Sequence, residues 1–150
     1  MSGISLRPAR STDAGKVGAI LSEFIDTTVW MPRVHTRAQD IGFAGQLIAQ
    51  DWVTVATDAG RVTGFAAREG AQLHALYVAA SSRRSGIGSA LLRHMQQQAD
   101  HLSLWTFDAN VVAQQFYLRH GFVAMEQTDG AGNDEGLPDI RFEWTRKVPQ

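Results

Sequence analysis

The stretch LYVAASSRRSGIGSALL, residues 76–92, joins an apolar strand to a helix through a turn that carries Gly86 and Gly88. The first amides of a helix have no acceptor within the helix, and the helix dipole places positive potential there. Arg83 and Arg84 add two cationic side chains. The turn therefore predicts a phosphate or pyrophosphate site, because glycine lets an anion approach the backbone closely. A tight connection with solvated arginines explains the same residues equally well.

Two common nucleotide-binding motifs do not match this turn. A P-loop needs Gly-x-x-x-x-Gly-Lys-Ser/Thr, which is absent here. The dinucleotide motif Gly-x-Gly-x-x-Gly needs a glycine where the chain has Leu91. The stretch thus predicts an anion-binding site but does not identify the ligand.

The remaining patterns predict an α/β domain in which helices flank one mixed central sheet, in the order β-α-α-β-β-β-α-β-α-β-β. We expect strands at 4–9, 52–57, 61–68, 71–80, 102–109, 122–128 and 139–148. We expect a first helix that follows a cap at 11–13 and ends near 27, and three further helices at 36–50, 86–99 and 111–120. The helix at 36–50 should have a buried stripe of Ile41, Ala44, Gly45 and Ile48. Residues 128–138 are rich in Gly, Asp and Asn and predict a mobile loop. A length of 150 residues suits a single domain, 1–150.

A second informative stretch is DANVVAQQFYLRHGF, residues 108–122. On the expected helix, Asn110, Ala113 and Tyr117 share one face, and Phe116 lies on a neighbouring apolar stripe. Each has an ordinary structural interpretation when it is taken singly. Asn110 suits an N-cap, and Tyr117 and Phe116 suit a core.

Together the two stretches resemble the motifs of the GNAT N-acetyltransferases, and the element order resembles that family over essentially the whole chain. Val78, Arg83, Gly86 and Gly88 stand at positions of the family's acetyl-CoA motif, while Ala80 replaces its usual proline. The segments WMPRVHT (30–36) and TDGAGNDEGLPDIRFEW (128–144) are similar to a bacterial subgroup of small acetyltransferases whose substrates are mostly unassigned. The chain is therefore identified as a small bacterial-type member of the family.

The resemblance implies acetyl-CoA as the co-substrate. It implies that amides from residue 84 to about 89 hold the pyrophosphate, and that strand 76–78 splays from its neighbour and pairs with pantetheine. It also implies that Asn110 bonds the pantetheine arm, and that Tyr117 approaches the sulfur, where a phenol can act as general acid to the leaving thiolate. The implied cofactor-binding residues are Leu76, Tyr77, Val78, Arg83, Arg84, Ser85, Gly86, Ile87, Gly88, Ser89, Asn110, Ala113 and Phe116.

We expect direct acetyl transfer to a primary amine of a small molecule or peptide, because the chain has no cysteine and no Gly-x-Ser-x-Gly elbow. The resemblance implies an oxyanion donor near Val78. The general base stays open. His74 is one candidate and Glu69, acting through water, is another, although a structural His74 and a solvated Glu69 are equally acceptable interpretations.

The acceptor side of the expected site is the least defined. Trp30, Met31 and His35 lie in a segment that walls the acceptor site in the family, although helix packing and solvent exposure also explain them. Asp134 and Glu135 suit attraction of a cationic acceptor, or an ordinary charged loop.

Composition excludes several classes of function. A net charge of -1 and a charged fraction of 19% do not favour a nucleic-acid or membrane partner. The N-terminus lacks an apolar leader, so we expect a cytoplasmic protein. We also expect no bound metal. We expect a monomer or a homodimer, the latter if Phe142 and Trp144 form an apolar sheet edge. The alternative function is a non-catalytic acyl-CoA-binding module.

Overall fold

The computed structural model describes residues 3–147 and contains a seven-stranded sheet with helices on both faces. The strands are β1 (Ile4–Pro8), β2 (Val53–Asp58), β3 (Arg61–Glu69), β4 (Gln72–Val78), β5 (His101–Phe107), β6 (Val123–Thr128) and β7 (Asp139–Thr145). The helices are α1 (Ala14–Thr27), α2 (Arg37–Ala49), α3 (Ile87–Gln98) and α4 (Val111–Arg119), with 3₁₀ turns at Ser11–Asp13 and Ala80–Ser82. The expected fold class and element order are confirmed. The expected last strand ran to Val148, which lies outside the described residues.

The strand order is β1-β2-β3-β4-β5-β7-β6. Neighbouring strands are antiparallel except for β4 and β5, which are parallel. The expectation of an apolar sheet edge at Phe142 and Trp144 is wrong, because β7 inserts between β5 and β6. Phe142 is only 2% exposed, and Trp144 packs against the same core.

Two hydrophobic clusters lie on the two faces of the sheet. One includes Leu91 of α3 and Tyr117 of α4, and the other includes Val17 of α1 and Ala44 of α2. Side chains on β4 alternate between these clusters, since successive residues of a strand point to opposite faces. The central strand therefore has one helix pair on each side. None of the helices within 3–147 is long and apolar enough to cross a bilayer.

The buried face of α2 differs from the expected stripe, because Asp40 is buried and Ile41 is 42% exposed. A Cβ added to Gly18 of α1 would lie 2.7 Å from the Ile41 Cα, so the two helices meet at the backbone there. Asp40 tolerates burial because it accepts a hydrogen bond from the Ser22 hydroxyl at 2.6 Å. Hydrophobic periodicity does not detect a buried carboxylate of this kind.

Candidate active site

The site begins where β4 and β5 separate. Among residues 3–147 the only pair between these two strands is Gln72 with Ser103, near the start of both strands. Beyond it, residues 76–78 pair with β3 on one side alone within the described chain. The Ala79 N–H donates to Thr63 of β3 at 2.8 Å. Because N–H directions alternate along a strand, the Val78 N–H points the other way, into the opening.

The glycine turn closes one end of this opening. Arg84 and Gly86 both have positive φ, at 65° and 84°. Among the described residues, no protein acceptor bonds the amides of residues 84–89. Arg83 and Arg84 are exposed and form no ion pair within 3–147. The turn therefore presents a row of unsatisfied N–H donors beside two cations, which suits an anion.

Two neighbouring contacts shape the turn. The Ala80 N–H donates to Glu23 Oε1 of α1 at 2.7 Å, a bond that a proline at this position would not make. A Cβ added to Gly88 would lie 3.5 Å from the Phe116 ring. Phe116 of α4 therefore packs against the first turn of α3, at a distance that an added Cβ would tolerate. Ile87 is 3% exposed, so its side chain belongs to the core and only its amide faces the turn.

Helix α4 carries Tyr117 and begins after Asn110, whose N–H donates to the carbonyl of Phe107 at the end of β5 at 2.9 Å. Asn110 is the N-cap, and its side-chain oxygen accepts from the Ala113 N–H at 3.2 Å. This leaves the Asn110 amide nitrogen as its remaining polar group. Tyr117 is 8% exposed, and its ring packs against Phe122 at a centroid distance of 5.5 Å.

The Tyr117 hydroxyl has no hydrogen-bond partner within 3–147 and is not fully enclosed. Burial, and secondarily the neighbouring Tyr77, raise the pKa of Tyr117 well above the ordinary tyrosine value. The phenol is therefore protonated at neutral pH. A protonated hydroxyl without a protein partner can donate a proton or a hydrogen bond to a ligand.

A chain of aromatic rings spans the opening on the other face of the sheet. Tyr77 of β4 contacts Phe24 of α1 at 5.0 Å, Phe24 contacts Trp30 at 6.3 Å, and Trp30 contacts Phe107 of β5 at 5.7 Å. Trp30 thus connects the two diverging strands. Met31 is half-buried beside it and does not line the pocket described next.

A pocket of about 580 Å³ lies on this same face, between α1, α2 and β4. Its apolar wall includes Leu21, Ile25 and Phe43. Its polar lining consists of Gln39 and Gln46 together with the titratable residues His35, Asp40, His74, Tyr77, Asp134 and Glu135, and no Lys or Arg is among the lining residues. His35 Nε2 lies 3.6 Å from Asp134 Oδ2, so the segment before α2 meets the loop before β7.

His74 occupies a β-bulge in β4. The register with β3 passes from Ala75 to Leu73 and leaves His74 unpaired, so its side chain turns toward α2. His74 stacks on Trp52 at 5.2 Å, and its Nε2 lies 2.8 Å from Glu69 Oε1. The two base candidates therefore form one pair at the pocket.

Comparison with known proteins agrees with this geometry. The family model described as "Acetyltransferase (GNAT) domain" matches residues 49–124. The peptidyl-lysine N-acetyltransferase YiaC of Escherichia coli (strain K12) is 32% identical over 146 residues, which cover 90% of this chain and 94% of YiaC. The chain belongs to the GNAT acetyltransferase family.

Solved structures with the GNAT fold superpose over nearly the whole chain. Apo-form YjaB from Escherichia coli has a TM-score of 0.79 at 20% identity and covers 97% of this chain and 99% of its own. The yncA protein of Salmonella typhimurium, solved with its cofactor acetyl-CoA, has a TM-score of 0.74 at 17% identity and covers 99% of this chain and 97% of its own. At these identities the likeness concerns the fold.

Within this GNAT domain, the structure brings most of the expected residues together. The turn and the free edge of β4 border the strand opening, and Tyr117 lies in the core cluster against which Val78 of that edge packs, while His35 and His74 line the pocket on the other face with Glu69 beside His74. Sequence reasoning missed His120, whose Nε2 lies 3.1 Å from the Ser89 hydroxyl and whose Nδ1 lies 2.8 Å from the Phe116 carbonyl oxygen. His120 links α4 to the turn. No local pattern marks this contact, because it joins two helices that are distant in sequence.

Proposed function

We propose that this GNAT acetyltransferase is an acetyl-CoA-dependent N-acetyltransferase that transfers an acetyl group directly to a primary amine of a small molecule or peptide. The observation that carries the proposal is that the free β4 edge and the unbonded amides of residues 84–89 border the same opening. These two groups of donors suit a ligand with a peptide-like arm and a pyrophosphate. The relative YiaC is named for acetylation of peptidyl-lysine, which supports an amine acceptor.

The chain fits acetyl-CoA through its backbone more than through its side chains. Amides 84–89 would hold the pyrophosphate with help from Arg83 and Arg84, and the edge of residues 76–78 would pair with the pantetheine amides. The Asn110 amide nitrogen is available to the same arm, because its oxygen already caps α4. Acetyl-CoA supplies the acetyl thioester.

In the proposed reaction a C–N bond forms and the thioester C–S bond breaks. The Val78 N–H stabilises the negative charge that develops on the carbonyl oxygen. Tyr117 donates its proton to the departing sulfur and recovers one from solvent. The pair of His74 and Glu69 takes the proton from the attacking amine through water, because a protonated amine has no lone pair for attack.

The pocket beside Tyr77 supports a cationic acceptor. Asp40 is already paired with Arg33, and Asp134 lies near His35. Glu135 is half-buried and forms no ion pair within the described residues, so it remains available to a ligand. The glycine turn carries the opposite charge, because Arg83 and Arg84 favour the anionic co-substrate. The two proposed binding sites therefore attract ligands of opposite charge.

Thermal unfolding with acetyl-CoA, CoA and ATP tests the co-substrate. Ligand at a hundred times its dissociation constant stabilises the folded state by about 2.7 kcal/mol. We expect a rise in melting temperature with both CoA compounds and none with ATP, and loss of the rise in Gly86→Glu. Gly60→Glu is the matched control, because Gly60 has a similar φ of 80° and, like Gly86, open space around it. If Gly86→Glu keeps the full rise, the turn does not hold the pyrophosphate.

Steady-state kinetics of Tyr117→Phe test the chemistry. The ring contacts remain, so we expect an unchanged KM for acetyl-CoA and a fall in kcat of about 10²-fold, at the lower end for a positioned acid. The assay follows thiol release with a panel of primary amines. A wild-type protein that binds acetyl-CoA but releases no thiol with any amine would instead be the non-catalytic binding module.

A further inference from the structure

The segment at 28–36, between α1 and α2, carries two residues of the acceptor side. Trp30 spans the strand opening, and His35 lines the pocket. The segment has little backbone structure of its own: the Met31 N–H donates to the Thr28 carbonyl at 3.1 Å, and the next turn belongs to the start of α2. Its conformation must therefore depend on side-chain contacts.

Arg33 supplies most of those contacts. Its Nε donates to Asp26 Oδ1 of α1 at 2.9 Å, and its Nη1 donates to Asp40 Oδ2 of α2 at 3.0 Å. The guanidinium also donates to the backbone oxygens of Ser22 at 3.3 Å and His35 at 2.8 Å. One side chain thus ties the segment to both helices and to the residue that enters the pocket.

Asp40 makes this arrangement specific. Its side chain is 4% exposed, and the Ser22 hydroxyl and Arg33 are its partners. A buried carboxylate that loses its cation is strongly unfavourable. The ion pair with Asp40 therefore fixes the position of the Arg33 guanidinium, and Arg33 in turn fixes the segment. Lysine would keep the charge but not the planar fork that reaches several acceptors at once.

We propose that Arg33 is a positioning residue for the acceptor: it holds the 28–36 segment so that Trp30 closes the strand opening and His35 faces the pocket. The role in acceptor binding rests on the proposed function. Arg33 contacts neither the glycine turn nor Tyr117 within the described chain, so we expect its main effect on the acceptor side of the sheet.

The first test measures the position of Trp30 without any ligand. The protein is labelled with 5-fluorotryptophan, and the signals of its 4 tryptophans are assigned by Trp→Phe variants. In Arg33→Ala we expect the Trp30 fluorine signal to move toward the solvent-exposed position while the Trp144 signal stays in place. Arg33→Lys gives a smaller displacement and remains informative if Arg33→Ala does not fold. An unmoved Trp30 signal in the folded variants would overturn the proposal.

The second test measures kinetics with Nα-acetyl-lysine methylamide as the amine probe. We expect the KM for this probe to rise at least tenfold in Arg33→Ala, with Arg33→Lys between it and wild type, and the KM for acetyl-CoA to stay within twofold. Arg146→Ala is the matched control, because Arg146 also bonds a carboxylate, Asp100, and several carbonyls, but at the far end of α3. An equal rise in the probe's KM in Arg146→Ala would reveal a general loss of stability and contradict the proposal.

The two tests separate this proposal from the proposed function. If wild-type protein acetylates neither the probe nor any amine of the panel but Trp30 moves in Arg33→Ala alone, the positioning of the segment stands and the proposed function is wrong. If the probe is acetylated but its KM is unchanged in both Arg33 variants, the function stands and the positioning role is wrong.

Discussion

The Nε2 atom of His74 lies 2.8 Å from Glu69 Oε1, across the turn between β3 and β4. The bulge in β4 creates this pairing, because it turns His74 out of the ladder and onto Trp52. Two residues that the sequence offers as competing bases are thus parts of one pair. The carboxylate orients the imidazole, and the imidazole faces the pocket.

We expect His74→Ala to lower kcat about 10²-fold, because proton removal from the amine loses its acceptor. Glu69→Gln should have a smaller effect, since the imidazole remains. Steady-state rates with a primary amine at saturating acetyl-CoA measure both. His101→Ala is the control, because His101 pairs with Glu143 at 3.0 Å on β5 and β7 with similar exposure, away from the pocket. Equal losses in the two histidine variants would remove His74 from the mechanism.

Two glycines near the turn should respond oppositely to alanine. A Cβ at Gly88 meets the Phe116 ring at an ordinary 3.5 Å, and alanine favours the helix, so we expect Gly88→Ala to raise the free energy of unfolding by about 0.5 kcal/mol. A Cβ at Gly64 lies 3.0 Å from Ile87 Cγ2 and 3.1 Å from the Tyr77 carbonyl oxygen. Gly64→Ala should lower the free energy of unfolding by about 1–3 kcal/mol. Urea denaturation distinguishes the two signs.

We expect Glu135→Gln to raise the KM for 1,4-diaminobutane about tenfold, equivalent to about 1.4 kcal/mol of binding free energy. The KM for n-butylamine should change less, since it carries a single cationic group. Asp134→Asn is the control, because its side chain is 75% exposed and exposed ion pairs contribute little. Indistinguishable effects of the two substitutions on the diamine would show that the loop does not select cations.

Alkaline pH should destabilise the protein through its 2 tyrosines. Burial, with a smaller effect of the Glu135 charge, raises the pKa of Tyr77 to about 12, and burial raises that of Tyr117 further above the ordinary value near 10. The pKa of each tyrosine is higher in the folded than in the unfolded protein. The contribution of the protonated tyrosines to the free energy of unfolding is therefore fully present below pH 10 and is lost as pH rises toward 12. Urea midpoints between pH 8 and 11.5 measure the loss. Tyr117→Phe should flatten the decline, and an unchanged slope would contradict the assignment.

The element order and the two informative stretches were readable from local patterns. Alternating and helical periodicities predicted every strand and α-helix, and the glycine turn joins β4 to α3 as expected. Gly121, after α4, also has the positive φ expected of a helix C-cap. These features follow from residue types within a few positions of each other.

Contacts between distant segments were not readable in that way. The insertion of β7 between β5 and β6, the burial of Asp40 beneath Arg33 and the contact of His35 with Asp134 each depend on how whole elements pack. His74 and Glu69 are close in sequence, but their pairing depends on the bulge in β4, which the sequence pattern does not predict.

Residue types and their spacing were therefore sufficient to predict the fold class and the position of the glycine turn, because a turn, a cap and an amphipathic face are local properties of the chain. The pocket proposed for the acceptor could be located only from the tertiary structure. It is assembled from α1, α2, β4 and the loop before β7, and which charges remain unpaired there depends on partners that only the folded chain brings within a few ångströms.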